Sequence, residues 1–410
     1  MNHPFIDVQG LAGAWTLGTV QAGFDLVGRR SLPGGFGDNA VDHNRSLLPG
    51  DWEQQTGQWE TWEPLEAAYV CGTPPCSGFS LLNTSKGKNA RGSDSVINDC
   101  MKALVQYSSL CKGTDGLKGP QVVSFESVQG AYSQGRELMQ LLRGIMEENT
   151  GLAYDLTHVK MSGSAIGGAQ MRHRYYFVIH RIPFGVDMPE KRRVVTYEDA
   201  IGDLIGADFV WEHQPYPREA TWWSADKRSA AGLDCHIHPT TGKFVELVNE
   251  LEPMWYPGES VQDPVKRLGR CPTAVKPKRY TFGADQPLAG WTWPRRIDPR
   301  KPGYVITGGG ILSFVHWAEP RFLTVRELSR LMGYPDSWRW DFASSPMQAS
   351  LLIGKCCPVQ SGKWISEWVK RALDGEPGEQ GRLIGDREYL HDSTNVYKPW
   401  LKEQLAAGTE

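Results

Sequence analysis

The sequence predicts an α/β fold: a doubly wound, mixed sheet between helices, joined to a second domain that is small and irregular. Three observations carry this. First, Phe5-Ile-Asp7-Val8 reads as a strand, Gly10 and Gly13 as a turn, and Leu17, Val20 and Ala22 as one side of a helix stopped by Gly23. Strand, glycine turn and helix is the usual start of a nucleotide-binding sheet, in which the helix N-terminus faces an anionic ligand group. Second, two apolar strands, Ala67-Ala-Tyr-Val70 and Gln121-Val-Val-Ser-Phe-Glu-Ser-Val128, alternate with amphipathic helices over 96–110 and 136–146. Third, the texture changes from about residue 181, and 205–320 is irregular and rich in Trp, Pro, His and Gly.

The whole-chain numbers narrow the class. A chain of 410 residues has room for a catalytic domain of ordinary size and a smaller one. A net charge of −3 excludes a generally basic protein, so any nucleic-acid surface must be local. Eight cysteines without paired spacings fit reduced thiols, and neither a bilayer-length apolar run nor a signal-peptide pattern is present. The expected state is a soluble cytoplasmic monomer without a membrane partner.

The chemistry centres on Cys71-Gly-Thr-Pro-Pro-Cys-Ser-Gly-Phe-Ser80. Gly72 and the Pro74-Pro75 pair end the preceding strand abruptly, so Cys76 sits at a strand-to-loop corner from which a thiol can reach a cleft. Most free cysteines are simply small buried hydrophobes, so the corner alone does not decide. Further on, the second apolar strand delivers Glu126 at its end, and Gln170, Arg172 and Arg174 alternate just before an aromatic-rich strand. A strand-end thiol, a strand-end carboxylate and alternating arginines make a nucleophile, an acid and a cation able to share one pocket.

In that order these segments resemble the DNA cytosine-C5 methyltransferases, a family with a Rossmann-like cofactor-binding domain and a small target-recognition domain. Cys76 matches the family's Pro-Cys nucleophile, Glu126 the glutamate of its Glu-Asn-Val motif, and Gln170, Arg172 and Arg174 its Gln-x-Arg-x-Arg motif. Residues 7–24 line up with the first motif, which holds S-adenosylmethionine, although Gln9 replaces an aromatic residue and Leu11 a glycine. By this resemblance Asp7, Gly10, Leu11, Gly13 and Pro75 belong to the cofactor site, as do Asp51 and Trp52 of Gly50-Asp51-Trp52, whose aspartate is placed to bind the adenine amino group. The second strand is expected to end in a ribose-binding acid but reads Gly28-Arg-Arg-Ser31, which leaves Asp38 and Asp42 as alternatives.

The resemblance also implies base flipping and a double-stranded DNA partner. Residues 77–100 read as a loop closing over substrate. Arg91 and Gln170 are expected at the DNA. So are Lys278, Arg279, Arg295 and Arg296, from a stretch (264–301) with ten bases and two acids. Cys235, His236, His238 and Cys271 lack a second close ligand pair, so no zinc is expected. Residues 320–336 and 351–359 match the last two motifs, with Thr324 capping a helix and Trp364–Leu373 forming the final one. Expected boundaries are 1–204 catalytic, 205–320 target recognition, 321–374 catalytic again, and 375–410 a polar, peripheral tail.

One departure points to an unusual donor. The family's last motif has Gly-Asn near the donor's sulfonium; this chain has Gly354-Lys355. A lysine there repels ordinary S-adenosylmethionine and attracts carboxy-S-adenosylmethionine, whose transferred carbon bears a carboxylate. At about 4 Å and an effective dielectric near 20 that Coulomb energy is roughly 4 kcal/mol, against ~1.4 kcal/mol for tenfold discrimination. The leading product is therefore 5-carboxymethylcytosine, with 5-methylcytosine from S-adenosylmethionine as its first rival. Ser127, in place of the motif's asparagine, lies in the same stretch of changes. An inactive DNA-binding relative and a nucleotide-level cytosine modifier are the readings from other classes. The divergent cofactor motifs suggest a bacteriophage enzyme working in a bacterial host's cytoplasm.

Overall fold

The computed structural model describes residues 2–76, 78–80, 92, 98–189, 193–207, 235–237, 244–246, 295–308, 314–317 and 323–394. The chain divides into two compact units. One comprises 1–194, 332–342 and 355–410, the other 195–331 and 343–354.

The first unit is built on strands β1 (His3–Val8), β2 (Phe24–Ser31), β3 (Glu53–Thr56), β4 (Tyr69–Gly72), β5 (Val122–Ser127), β6 (Asp155–Ser162) and β7 (His173–His180). Two further strands, numbered β12 (Arg382–Gly385) and β13 (Glu388–Asp392), complete it. Together they form a nine-stranded sheet in the order β12-β13-β6-β7-β5-β4-β1-β2-β3. β3, β2, β1, β4 and β5 run parallel, while β7 is antiparallel to β5 and β6. This is the mixed, doubly wound sheet that the sequence predicts.

Side-chain alternation sorts the strands onto two faces. Ile6, Val8, Val70, Val123, Phe125, Tyr175 and Phe177 bury one face against α3 (Asp99–Leu110) and α4 (Gly130–Thr150). On the other, Asp7, Cys71 and Tyr176 meet α1 (Ala14–Gln21) and the helix over Val359–Leu373. Those two helices approach so closely that a Cβ on Gly18 would lie 2.5 Å from the backbone of Val359 and Lys363. Helix α4 outruns its expected span of 136–146, because Gly130 lets it begin against the Phe79 carbonyl and left-handed Gly151 ends it.

Residues past 375 correct the expectation of a peripheral tail. β13 pairs with β6 in parallel, and Glu388 is fully buried. Its carboxylate receives Arg136 Nε at 2.6 Å, Gln140 Nε2 at 2.9 Å and a hydrogen bond with His158 Nε2 at 2.7 Å. Burial alone would raise Glu388; Arg136, Gln140 and His158 outweigh it and hold the carboxyl down at about 2. A polar sequence thus closes a sheet edge because its one buried charge is matched from α4 and β6.

In the second unit, α5 (Tyr197–Ile201) starts on a Thr196–Asp199 capping box. α6 (Val325–Leu331) starts on Thr324, whose Oγ accepts the Glu327 amide at 3.2 Å while Glu327 accepts the Thr324 amide at 2.7 Å. α6 was expected with the returning catalytic segment. α7 (Pro346–Lys355) follows, with only Lys355 in the first unit, and the Val359–Leu373 helix is α8. Short pairs β8 (Cys235–Ile237) with β9 (Phe244–Glu246), and β10 (Arg295–Arg296) with β11 (Phe314–Val315), complete the described elements. No helix among the described residues is long and apolar enough to cross a membrane.

Candidate active site

In a doubly wound sheet, ligands bind outside the carboxyl ends of the strands, where the strand order reverses. Here the reversal lies at β1. The chain proceeds from β1 outward to β2 and β3, then returns to place β4 and β5 on the other side. The segments flanking this point are Gln9–Ala12 after β1 and Thr73–Cys76 after β4, tied together by Thr73 Oγ donating to the Gln9 carbonyl at 3.2 Å.

Cys76 is half-buried at the corner beyond β4. Downstream the loop is pinned: the Phe79 amide donates to the Cys76 carbonyl at 3.0 Å, and Phe79 is fully buried in the α3–α4 core. Glu126, next to last in β5, stands opposite Tyr176 in the antiparallel β5–β7 ladder. Arg174, two residues before Tyr176, shares its face and is the diagonal neighbour of Glu126. The two form an ion pair through Arg174 Nε. Because β7 runs antiparallel, its N-terminal end reaches the same sheet edge as the carboxyl end of β5. That explains why arginines before a strand meet a glutamate at the end of one.

Arg172 is buried, and its guanidinium donates to the Cys356 carbonyl at 2.7 Å, just past α7. Burial, reinforced by Arg174, pulls Arg172 down to about 10, so it stays charged at neutral pH. The Cys76 thiol is pushed up by burial and then by the Glu126 carboxylate, and pulled back by Arg174 and Arg172. Cys76, Glu126, Arg172 and Arg174 are therefore one electrostatic cluster. Neutralising Glu126 makes the thiolate easier to form.

The β1 crevice is a polar cradle. A Cβ on Gly10 would fall 2.0 Å from Asp7 Oδ2, and the flanking Gln9 and Leu11 adopt left-handed φ of 56° and 53°. Such strain concentrates where a backbone is shaped for a ligand. Asp7 is fully buried; its Oδ2 accepts Thr16 Oγ at 2.5 Å and Arg29 Nε at 3.0 Å, while Oδ1 has no hydrogen-bond partner among the described residues. Burial raises the Asp7 carboxyl, and Arg29 opposes that. Arg29, also fully buried, reaches Asp38 Oδ1 at 2.5 Å, Gln54 Oε1 at 3.0 Å and the Leu11 carbonyl.

The two alternatives for the ribose acid sit in different surroundings. Asp38 is held inward by Arg29, by Ser31 Oγ at 2.7 Å and by Thr56 Oγ at 2.8 Å, whereas exposed Asp42 meets only Gln54 at 3.2 Å among the described contacts. Arg29 itself went unsuspected, since a charge inside a strand looks like an exposed position.

The other expected site residues sit as follows. Trp52 is buried, with its indole N–H on the Leu48 carbonyl at 2.9 Å and the Arg45 guanidinium 3.8 Å over its ring, so that ring is already covered by protein. Asp51 and Pro75 are exposed. Gln170 is buried and donates to the Met332 sulfur at 2.9 Å. Ser127 alternates onto the sheet face opposite Glu126, because the pleat turns successive side chains apart. Gly13 is left-handed at the start of α1 and lies against Trp338. Arg91, Lys278, Arg279, His238 and Cys271 lie outside the described residues, as do the side chains of Arg295, Arg296, Cys235 and His236 and most of the expected substrate loop.

A strand-end thiol with a carboxylate and two arginines, beside a glycine cradle at a switch point, defines a group-transfer enzyme with a nucleotide-like ligand. Comparison with known proteins gives the family. Residues 42–371 match the model for the C-5 cytosine-specific DNA methylases, and the chain belongs to that family. Type II methyltransferase M.BbvI of Brevibacillus brevis is 39% identical over 311 residues, 73% of this chain and 68% of that protein. Type II methyltransferase M.XorII of Xanthomonas oryzae pv. oryzae is 24% identical, covering 95% of this chain and 90% of its own. Among solved structures, the Entamoeba histolytica methyltransferase EhMeth gives a TM-score of 0.54 at 10% identity, covering 91% of this chain and 99% of that one. Dnmt2 of S. pombe gives 0.50 at 12%, with coverage of 91% and 99%. At such identities the structures establish a shared fold. In class the protein is a DNA cytosine-C5 methyltransferase, whose family uses S-adenosylmethionine and acts on double-stranded DNA.

Proposed function

We propose that the group this enzyme places on cytosine C5 is carboxymethyl, taken from carboxy-S-adenosylmethionine. The observation that carries this reading is Lys355. Its side chain is exposed, no carboxylate among the described residues pairs with it, and its neighbour Cys356 is the residue whose carbonyl holds Arg172. An unpaired ammonium at this position favours a donor with a carboxylate and disfavours one without.

The donor cradle suits such a ligand: Gly10 lets the turn close directly over the Asp7 carboxylate, where any side chain would collide, and Asp7 Oδ1, without a hydrogen-bond partner among the described residues, can accept one from a ligand. Asp7, Gly10, Leu11 and Lys355 would hold the donor, which supplies an electrophilic carbon. Cys76, as thiolate, adds to C6 of a cytosine flipped from the duplex. Glu126, protonated, bonds N3 and the exocyclic amine and favours the addition. Withdrawing the Glu126 charge also removes the carboxylate that, after burial, helps keep the Cys76 thiol protonated, so base recognition and nucleophile activation are coupled. Arg174 holds the base O2, and Arg172 braces the pocket through Cys356. Addition at C6 makes C5 the nucleophile, which would bond the donor's carbon as its C–S bond breaks and the neutral thioether leaves. Loss of the C5 proton and departure of Cys76 then restore the ring.

The test is direct. Purified protein is incubated with cytosine-containing DNA and each donor separately, and the DNA is digested to nucleosides for mass spectrometry. A carboxymethyl adduct that disappears in Lys355→Asn supports the reading. Methylcytosine alone, unchanged by that substitution, replaces it with ordinary methylation, the second reading that the two bacterial relatives favour.

A further inference from the structure

Lys355 does not point loosely into solvent. Its Nζ lies 4.1 Å from the centroid of the Phe36 ring. The loop that carries Phe36 is fixed on both sides. Gly35, with φ 45°, packs so that an added Cβ would sit 2.6 Å from Asp38 Oδ2. Gly37, with φ 87°, leaves no room for a Cβ, which would fall 2.7 Å from the Ala12 amide nitrogen and the Leu11 carbonyl carbon. Asp38 is in turn held by Arg29, Ser31 and Thr56, and Arg29 also holds Asp7 and the Leu11 carbonyl. The Phe36 ring is therefore set rigidly beside the cradle after β1, and it carries a cation on its face.

We infer that Phe36 is the positioning residue for donor choice: its ring holds the Lys355 ammonium ready to receive the carboxylate of the donor. This rests on the carboxylated-donor reading above and adds to it the element that makes a flexible lysine selective. A lysine side chain loses much of its rotamer freedom when fixed. A ring that has already ordered the ammonium reduces what the donor must overcome. The aromatic face attracts the cation yet supplies no counter-charge, so the ammonium remains free to pair with an anion. An Asp or Glu in place of Phe36 would order Lys355 equally well but neutralise it.

The experiment measures binding of carboxy-S-adenosylmethionine and of S-adenosylmethionine to the full chain by calorimetry, without DNA. The proteins are wild type, Phe36→Leu, Phe36→Tyr, Lys355→Asn and the double variant Phe36→Leu/Lys355→Asn. Phe36→Leu is expected to weaken the carboxylated donor about two- to five-fold, the range of an exposed cation–π contact. Its affinity for S-adenosylmethionine is expected to stay unchanged, Phe36→Tyr to restore wild-type discrimination, and the Leu effect to vanish once Lys355 is Asn. In the NMR spectrum the Lys355 ε-methylene protons, shifted upfield by the ring in the wild type, return to ordinary positions in Phe36→Leu and not in Phe36→Tyr.

Equal weakening of both donors, tighter binding of the carboxylated donor, or a Leu effect that persists without Lys355 overturns the inference. If Lys355→Asn weakens the carboxylated donor and Phe36→Leu does not, the positioning role alone falls. If Lys355→Asn leaves both affinities unchanged, the carboxylated-donor reading falls and takes this inference with it.

Discussion

Replacing Arg29 with methionine isolates the charge on which the donor cradle is built. Arg29 is fully buried and serves two carboxylates, Asp7 at 3.0 Å and Asp38 at 2.5 Å. Methionine keeps much of the volume, so the dominant loss is the counter-charge. Removing one member of a buried pair costs about 3–5 kcal/mol, because the partner is left charged without compensation. For a unit of this size that corresponds to a Tm drop of roughly 6–20 °C, at about 2–4 °C per kcal/mol. The pH dependence gives the sharper check. Burial already raises the Asp7 carboxyl and Arg29 opposes it, so the variant's Asp7 is raised further. A carboxyl raised in the folded state contributes stability at low pH that is lost as pH rises through the folded value. The deficit of Arg29→Met should therefore be small in acid and grow toward neutrality, and Asp7→Asn in the same background should recover part of it. Urea unfolding followed by tryptophan fluorescence at pH 5 and pH 8 measures both. A deficit below about 1 kcal/mol, or one equal at the two pH values, refutes the argument that Arg29 neutralises the cradle.

Four other outcomes are expected. Glu126→Gln removes the carboxylate that raises Cys76 while leaving both arginines. Iodoacetamide should then label Cys76 faster at pH 8, by about tenfold per unit of pKa lowering, and DNA modification should fall about 10²–10⁴-fold. The wild type should form a denaturant-resistant complex with 5-fluorocytosine DNA and Cys76→Ala should not; gel electrophoresis distinguishes them. Glu388, held at about 2 against an ordinary 4.5, contributes stability above its unfolded value that is lost as pH falls through the folded one. About 3 kcal/mol should go between those values and be missing in Glu388→Gln, as acid titration of the unfolding free energy would record. Gly10→Ala, whose methyl would fall 2.0 Å from Asp7 Oδ2, should abolish donor binding in calorimetry more completely than it lowers Tm.

What could be read from the sequence, and what could not, follows from the range of each signal. The Pro74-Pro75-Cys76 corner, Glu126 at the end of its strand and the alternating Arg172 and Arg174 are local patterns, and local patterns survive translation into structure. β4 only shifted, from 67–70 to Tyr69–Gly72. Arg29 is different: nothing near residue 29 announces that Asp7, Asp38 and Gln54 will converge on it, so a core cation looks like a surface one. The cover on the Trp52 ring was hidden in the same way, since Arg45 reaches it through the fold and not through a motif. β12 and β13 carried a weak local sign, Gly385-Asp386 between two short strand-like runs. Their polarity concealed it, because the matching partners Arg136 and His158 lie more than two hundred residues away.

That last arrangement also sets an order of events during synthesis. The sheet edge at β6 (Asp155–Ser162) stays unpaired until residues 388–392 are made, and α1 (Ala14–Gln21) lacks its packing partner until 359–373 emerge. At about 5–20 residues per second, a growing chain carries Cys76 and Glu126 for many seconds before the helix and strand that complete their unit exist. Contacts so distant in sequence form slowly and late. Until then α1 is covered by the sheet on one side only, and the far edge of β6 stays open.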